Sequence, residues 1–184
     1  MAIYNLLHYN IPVNEDLQFV FDTNIWLFLY SNIHEDRERE INAYSKLFEE
    51  VIDNDHQIAL PGLIISEFTN VLLRADYNLI KDLIGDDKYS FKKDYVKSNY
   101  YKNKVNEINY LIEEILNIDN VFKLNDNFEN INLEKVKNNF NEIDWNDSFL
   151  LEIVKKYNYK LVSNDYDFTK VYNKEKDFDL IILK

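Results

Sequence analysis

The sequence predicts an α/β protein: a Rossmann-like central parallel β-sheet flanked by helices, with an inserted helical arm. Three observations predict it. Short apolar runs recur as "QFVF", "HQIAL", "NVFKL", "YKLVS" and "FDLIIL", continuous rather than alternating, as expected of strands buried on both faces. Most are separated by stretches whose apolar residues fall at three- and four-residue steps, the period of a helix. No internal repeat and no Gly/Ser-rich linker interrupts the 184 residues, so residues 1–184 read as a single domain.

The elements follow in order. Gln18 to Phe21 form a short buried strand, and Thr23 to Tyr30 begin a helix. From Glu35 to Asn54, Ile41, Tyr44, Leu47, Phe48 and Val51 make one apolar stripe. His56 to Leu60 are a second strand, stopped by Pro61 and Gly62, and a helical pattern resumes from Leu63 to Leu73. Tyr89 to Ile118 read as a helical hairpin, the inserted arm, with Leu111, Ile112, Ile115 and Leu116 as its clearest stripe. Asn120 to Leu124 are a third strand, and the polar, Asn-rich stretch from Asp126 to Asp144 resolves into no element. Asp147 to Tyr157 form a helix with Phe149, Leu150, Ile153 and Val154 inward. Tyr159 to Ser163 and Phe178 to Leu183 are the closing strands.

Composition narrows the function. A chain that is 46% hydrophobic and 15% aromatic can build a core, which excludes wholesale disorder. With no cysteine there is neither a disulfide framework nor a thiolate metal site. No apolar run approaches the roughly 20 residues that span a membrane. The opening "MAIYNLLHYNIPVNED" lacks the basic and apolar regions of a secretory signal, so the expected location is the cytoplasm. The net charge of −12 opposes binding to nucleic acid unless metal ions or a local basic patch intervene.

Acids stand where the apolar runs end. Asp22 follows the first strand in "FVFDTNIW"; Glu67 lies in the first turns of the helix after the second; Asp147 opens a helix in "DWNDSFLL"; Asp165 follows a strand in "LVSNDYDF". Each has a purely structural role open to it. Asp22 and Asp147 can cap helices, Glu67 can be a solvated helix residue, and Asp165 and Asp167 can shape a turn. In a doubly wound sheet, however, strand ends and the helix starts that follow them share one edge, so the four acids are expected to converge there. Clustered carboxylates repel one another unless a cation joins them, and an all-oxygen set favours Mg²⁺ or Mn²⁺. Such ions serve phosphodiester hydrolysis. Haloacid-dehalogenase-type phosphatases fit poorly, because the third position of their D-x-D is Asn24. Receiver domains fit poorly too, because "QIALPGLI" offers no phosphoacceptor Asp.

The stretches "FVFDTNIW", "LPGLIISEFTNVL" and "DWNDSFLLEIVKKYNYKLVSNDYDF" resemble the PIN-domain nucleases, including the VapC-type toxins of bacterial toxin–antitoxin pairs. The resemblance runs from Gln18 to Lys184. It implies a PIN-like fold and a metal-dependent endonuclease, in particular an endoribonuclease that uses a metal-activated water. Asp22, Glu67, Asp147 and Asp165 would be the catalytic, metal-binding acids. Thr23, Asn24, Ser163, Asp144 and Asp167 would surround them and orient water. The expected partners are single-stranded RNA, with DNA the less favoured substrate, an antitoxin or other protein, and a second copy in a homodimer. A PIN-fold interaction module that has lost catalysis, in RNA processing or phage defence, is the alternative. The chain departs from compact toxins in its Met1 to Leu17 stretch, its arm, and the bulky Phe149, Leu150 and Leu151 in the late helix.

The arm answers the charge objection. Lys88, Lys92, Lys93, Lys97, Lys102 and Lys104 stand against one acid, Asp94, in "KYSFKKDYVKSNYYKNK", a local charge of 6 − 1 = +5. These lysines are expected to track an RNA backbone. The interleaved Tyr89, Phe91, Tyr95, Tyr100 and Tyr101 serve either as base platforms or as core. His8, His34 and His56 show no ligand spacing, and Trp26 and Trp145 are expected to pack.

Overall fold

The computed structural model describes residues 1–12, 15–126 and 128–184. Val13 and Asn14 of the amino-terminal stretch, and Asn127 of the Asn-rich stretch, lie outside the described residues. Six strands form one wholly parallel sheet: β1 (Ile3–Asn5), β2 (Gln18–Phe21), β3 (Gln57–Pro61), β4 (Val121–Leu124), β5 (Lys160–Val162) and β6 (Asp179–Ile182), in the order β1-β6-β5-β2-β3-β4. The helices are α1 (Thr23–Tyr30), α2 (Glu38–Asp53), α3 (Gly62–Ile84), α4 (Asn99–Leu116), α5 (Leu133–Asn139), α6 (Trp145–Tyr157) and α7 (Asp167–Glu175).

The continuous apolar runs are buried on both faces as expected: Phe19, Val20, Phe21, Leu161, Val162, Leu180 and Ile181 are fully buried. From β2 the chain builds outward through β3 to β4, then returns to the other side of β2 with β5 and β6. The order therefore reverses between β2 and β5, which opens a crevice at their carboxyl ends. Phe21 and Val162 are level there, and the Asp22 amide donates to the Val162 carbonyl at 2.9 Å.

Three parts of the fold differ from the sequence pattern. β1 pairs with β6, Ile3 beside Leu180, in a stretch where the pattern marks no strand; three half-buried residues are too few to show a period. α3 continues past Leu73 to Ile84, where Gly85, at φ 68°, ends it; exposed Leu79, Leu83 and Ile84 blur its stripe. The arm expected at 89–118 is accordingly not a hairpin of its own. Only Asn99–Leu116 is α-helical, its partner is α3, and a Tyr77, Tyr89, Phe91, Tyr95 and Tyr101 cluster packs the join. α5 and α7, of 7 and 9 residues, are too short to show a clear stripe. Among the described residues no helix is long and apolar enough to cross a membrane.

Candidate active site

Asp22 ends β2 in extended backbone and caps α1, its Oδ1 accepting from the Thr23 amide at 2.7 Å. It is only 4% exposed. Its Oδ2 accepts from Asn24 Nδ2 at 2.6 Å and from Ser163 Oγ at 2.7 Å. Ser163, buried at the end of β5, also accepts the Asp165 amide at 2.9 Å, while Asn24 Oδ1 accepts the Asn164 amide at 3.1 Å. The first turn of α1 is thereby fastened across the crevice to the loop after β5.

The other acids come from neighbouring elements. Glu67, half-buried in the second turn of α3, accepts from Thr23 Oγ1 at 3.0 Å. Asp144, not Asp147, caps α6, accepting the Asp147 amide at 2.9 Å. That leaves the Asp147 carboxylate without capping duty. Asp165 Oδ1 accepts the Asp167 amide at 2.7 Å, and Asp167 itself pairs with Lys170 at 2.7 Å.

The charges of these acids act on one another. Burial pushes Asp22 up to about 7; the Ser163 and Thr23 hydrogen bonds oppose the shift, and the charges of Glu67 and Asp165 add to it. Burial, then the charges of Asp22, Asp144, Asp165 and Glu67, push Asp147 up to about 9. The amino end of α6 favours an anion, but these neighbours outweigh it. Glu67 is raised as well, by burial and by Asp144, against its hydrogen bond from Thr23. Hydrogen bonds tie Asp22 to Asn24 and Ser163 and Glu67 to Thr23, and the charges of Asp22, Glu67, Asp144 and Asp165 all act on Asp147.

Among the described residues no three His, Cys, Asp or Glu side chains form a ready-made metal cage. The donor chemistry nevertheless fits a hard divalent cation. Every candidate ligand is a carboxylate oxygen, and burial together with the neighbouring acids disfavours their charged forms, which a divalent cation would offset.

The six arm lysines are elsewhere. They follow the far end of α3, and from Glu67 to Ile84 that helix rises about 25 Å at 1.5 Å per residue. Lys88, Lys92, Lys93, Lys97 and Lys102 are exposed, and Lys104 pairs with Glu107 at 2.8 Å. Most of the arm's aromatics are core: Tyr95 is fully buried and donates to Asp76 Oδ2 at 2.6 Å, whereas Tyr100 is exposed.

One contributor escaped the sequence pattern. Tyr44 of α2 sits within an apolar stripe, yet its hydroxyl lies 2.9 Å from the Ser163 carbonyl and 3.1 Å from Asn164 Oδ1, and it accepts the Leu183 amide at 3.1 Å. A tyrosine among aliphatic stripe positions is the available signal, because a buried phenol needs a partner.

A parallel sheet with an acidic crevice at its switch point defines the class of protein. The PIN domain family model matches residues 19–174, and the chain belongs to that family. PIN domains are generally nucleases and typically use divalent metals. No curated protein matches the sequence significantly. Among solved structures, VapBC2 from Rickettsia felis bound to a DNA fragment from their promoter is similar, with a TM-score of 0.49 and 12% identity, covering 91% of this chain and 100% of that one.

Proposed function

We propose that the protein is a Mg²⁺- or Mn²⁺-dependent endoribonuclease that cuts single-stranded RNA in the cytoplasm, as the toxin of a toxin–antitoxin or defence system. The observation that supports this reading is that Asp22, at the switch point of a PIN-domain sheet, and Asp147 each feel the charges of Glu67 and Asp165. Asp22, Glu67, Asp147 and Asp165 would hold a divalent ion, which when bound would supply Lewis-acid polarisation of the phosphoryl oxygen and a lowered pKa for water. Asp22 is the most rigid of the four, because Thr23, Asn24 and Ser163 fix both of its oxygens. Thr23 fixes Glu67 as well and so couples α1 to α3. Burial and the neighbouring acids raise the proton affinity of Asp147, so a bound cation would compete with a proton there. The arm lysines, remote from the acids, hold the RNA backbone and take no part in the chemistry. An antitoxin that placed an Arg or Lys among the acids would neutralise and block them.

The test is cleavage of single-stranded RNA by the purified protein and by Asp22→Asn, with Mg²⁺, with Mn²⁺ and with EDTA. Cleavage is expected only in the wild type with metal. Undiminished cutting in EDTA or by Asp22→Asn overturns the reading. RNA binding with no cutting under any condition makes the chain a catalytically inactive interaction module instead.

A further inference from the structure

A cavity of about 500 Å³ opens beside the acids, and Asn24 and Asp165 form part of its wall. The same wall includes Arg37 and Arg39, from the start of α2, together with Lys184. The chain has three arginines, and two of them line this space. Among the described residues neither is in an ion pair, although Glu40 lies in the same wall. Two side chains are fastened to the residues just after β6. Arg39 Nη2 donates to the Lys184 carbonyl at 3.0 Å, and the Tyr166 hydroxyl donates to the Leu183 carbonyl at 2.6 Å. Tyr166 is held at its tip, yet 53% of it remains exposed, so its ring is a braced aromatic surface at the mouth of the acidic crevice.

We infer that this cavity is the subsite for the nucleotides flanking the cut, with Arg37 and Arg39 on backbone phosphate and Tyr166 beneath an unpaired base. The chemistry matches each part. Guanidinium forks without an ion-pair partner suit phosphate oxygens. A braced ring suits an unstacked base and so selects single strands. The volume lies within the range of small-ligand sites, ample for a nucleotide. Acids that would repel an approaching phosphate lie directly beside cations that hold the next one. The subsite rests on the nuclease reading and adds to it where the strand lies, on the Asp165 side rather than only along the distant arm.

The experiment is a titration of a short fluorescein-labelled single-stranded RNA of mixed sequence, in EDTA so that the probe stays whole, at several salt concentrations. Cleavage in Mg²⁺ or Mn²⁺ is measured in parallel. Arg37→Gln with Arg39→Gln is expected to weaken binding about tenfold and to flatten the salt slope by about 1.4, at about 0.7 per single-strand phosphate contact. Tyr166→Ala is expected to weaken binding at least about fivefold at an unchanged slope, and Tyr166→Phe, which keeps the ring, to bind like wild type. If wild type binds and cuts while the arginine pair and Tyr166→Ala match it in affinity and slope, the subsite is wrong and the nuclease reading stands; the cavity then faces a protein partner. If wild type neither binds nor cuts, the nuclease reading fails and takes the subsite with it.

Discussion

Asp22 accepts hydrogen bonds on both carboxylate oxygens while buried beside other acids, and that balance governs how substitutions behave. In Asp22→Asn, relief of the buried charge is offset by a donor–donor clash with Asn24 Nδ2, so the melting temperature should stay within a few degrees of wild type while cleavage is lost. Asp147 is different, because its raised pKa has fewer opposing hydrogen bonds. A carboxyl whose folded value, about 9, exceeds its ordinary 3.8 binds protons more readily in the native state. Stability therefore falls as pH rises between those limits. In EDTA, Asp147→Asn should match wild type near pH 4 and become progressively more stable than it toward about pH 9, as thermal melts across that range would show. A constant difference would mean that Asp147 titrates normally. Tyr44→Phe leaves the Ser163 carbonyl and Leu183 amide short of a partner. It should cost about 1–3 kcal/mol in denaturant midpoint and slow cleavage by loosening the loop that carries Asp165.

At the scale of elements, the α3–α4 pair is a lever that carries Glu67 near one end and the basic connection at the other. Its basic end should affect binding and not the cut. Replacing Lys92, Lys93 and Lys97 with Gln should weaken RNA binding and flatten its salt dependence, with turnover at saturating RNA little changed. Identical salt slopes would show that the arm faces solvent or a protein.

The whole molecule carries a net charge of −12, and its acidic crevice concentrates that repulsion at one point. Mg²⁺ or Mn²⁺ should therefore stabilise it as well as activate it. At a hundred times the dissociation constant, binding adds about 2.7 kcal/mol, or about 5–10 °C in melting temperature for a domain of this size. The shift should shrink toward about pH 4, where the acids are protonated, and in Asp22→Asn. Absence of any shift at neutral pH would argue that the crevice holds no divalent ion.

The sequence by itself determined the α/β class, five of the six strands, and the four acids after their apolar runs, because local hydrophobic period and strand-end position are written in neighbouring residues. Asp22, Glu67, Asp147 and Asp165 were each legible as acids at element ends, though each was equally legible as a cap, a turn or a solvated side chain. Tertiary structure kept the cap at Asp22 and the turn at Asp165. It gave the α6 cap to Asp144, tied Asp167 to Lys170, and set Asp22, Asp147 and Asp165 within each other's fields. It also decided that β1 joins β6, that the hairpin is α3 with α4, that Tyr44 braces the β5 loop, and that Arg37, Arg39 and Tyr166 share a cavity with Asp165. These are relations between residues far apart in the chain. Pairing, charge coupling and shared cavities depend on distance in space, and a one-dimensional pattern carries no measure of it.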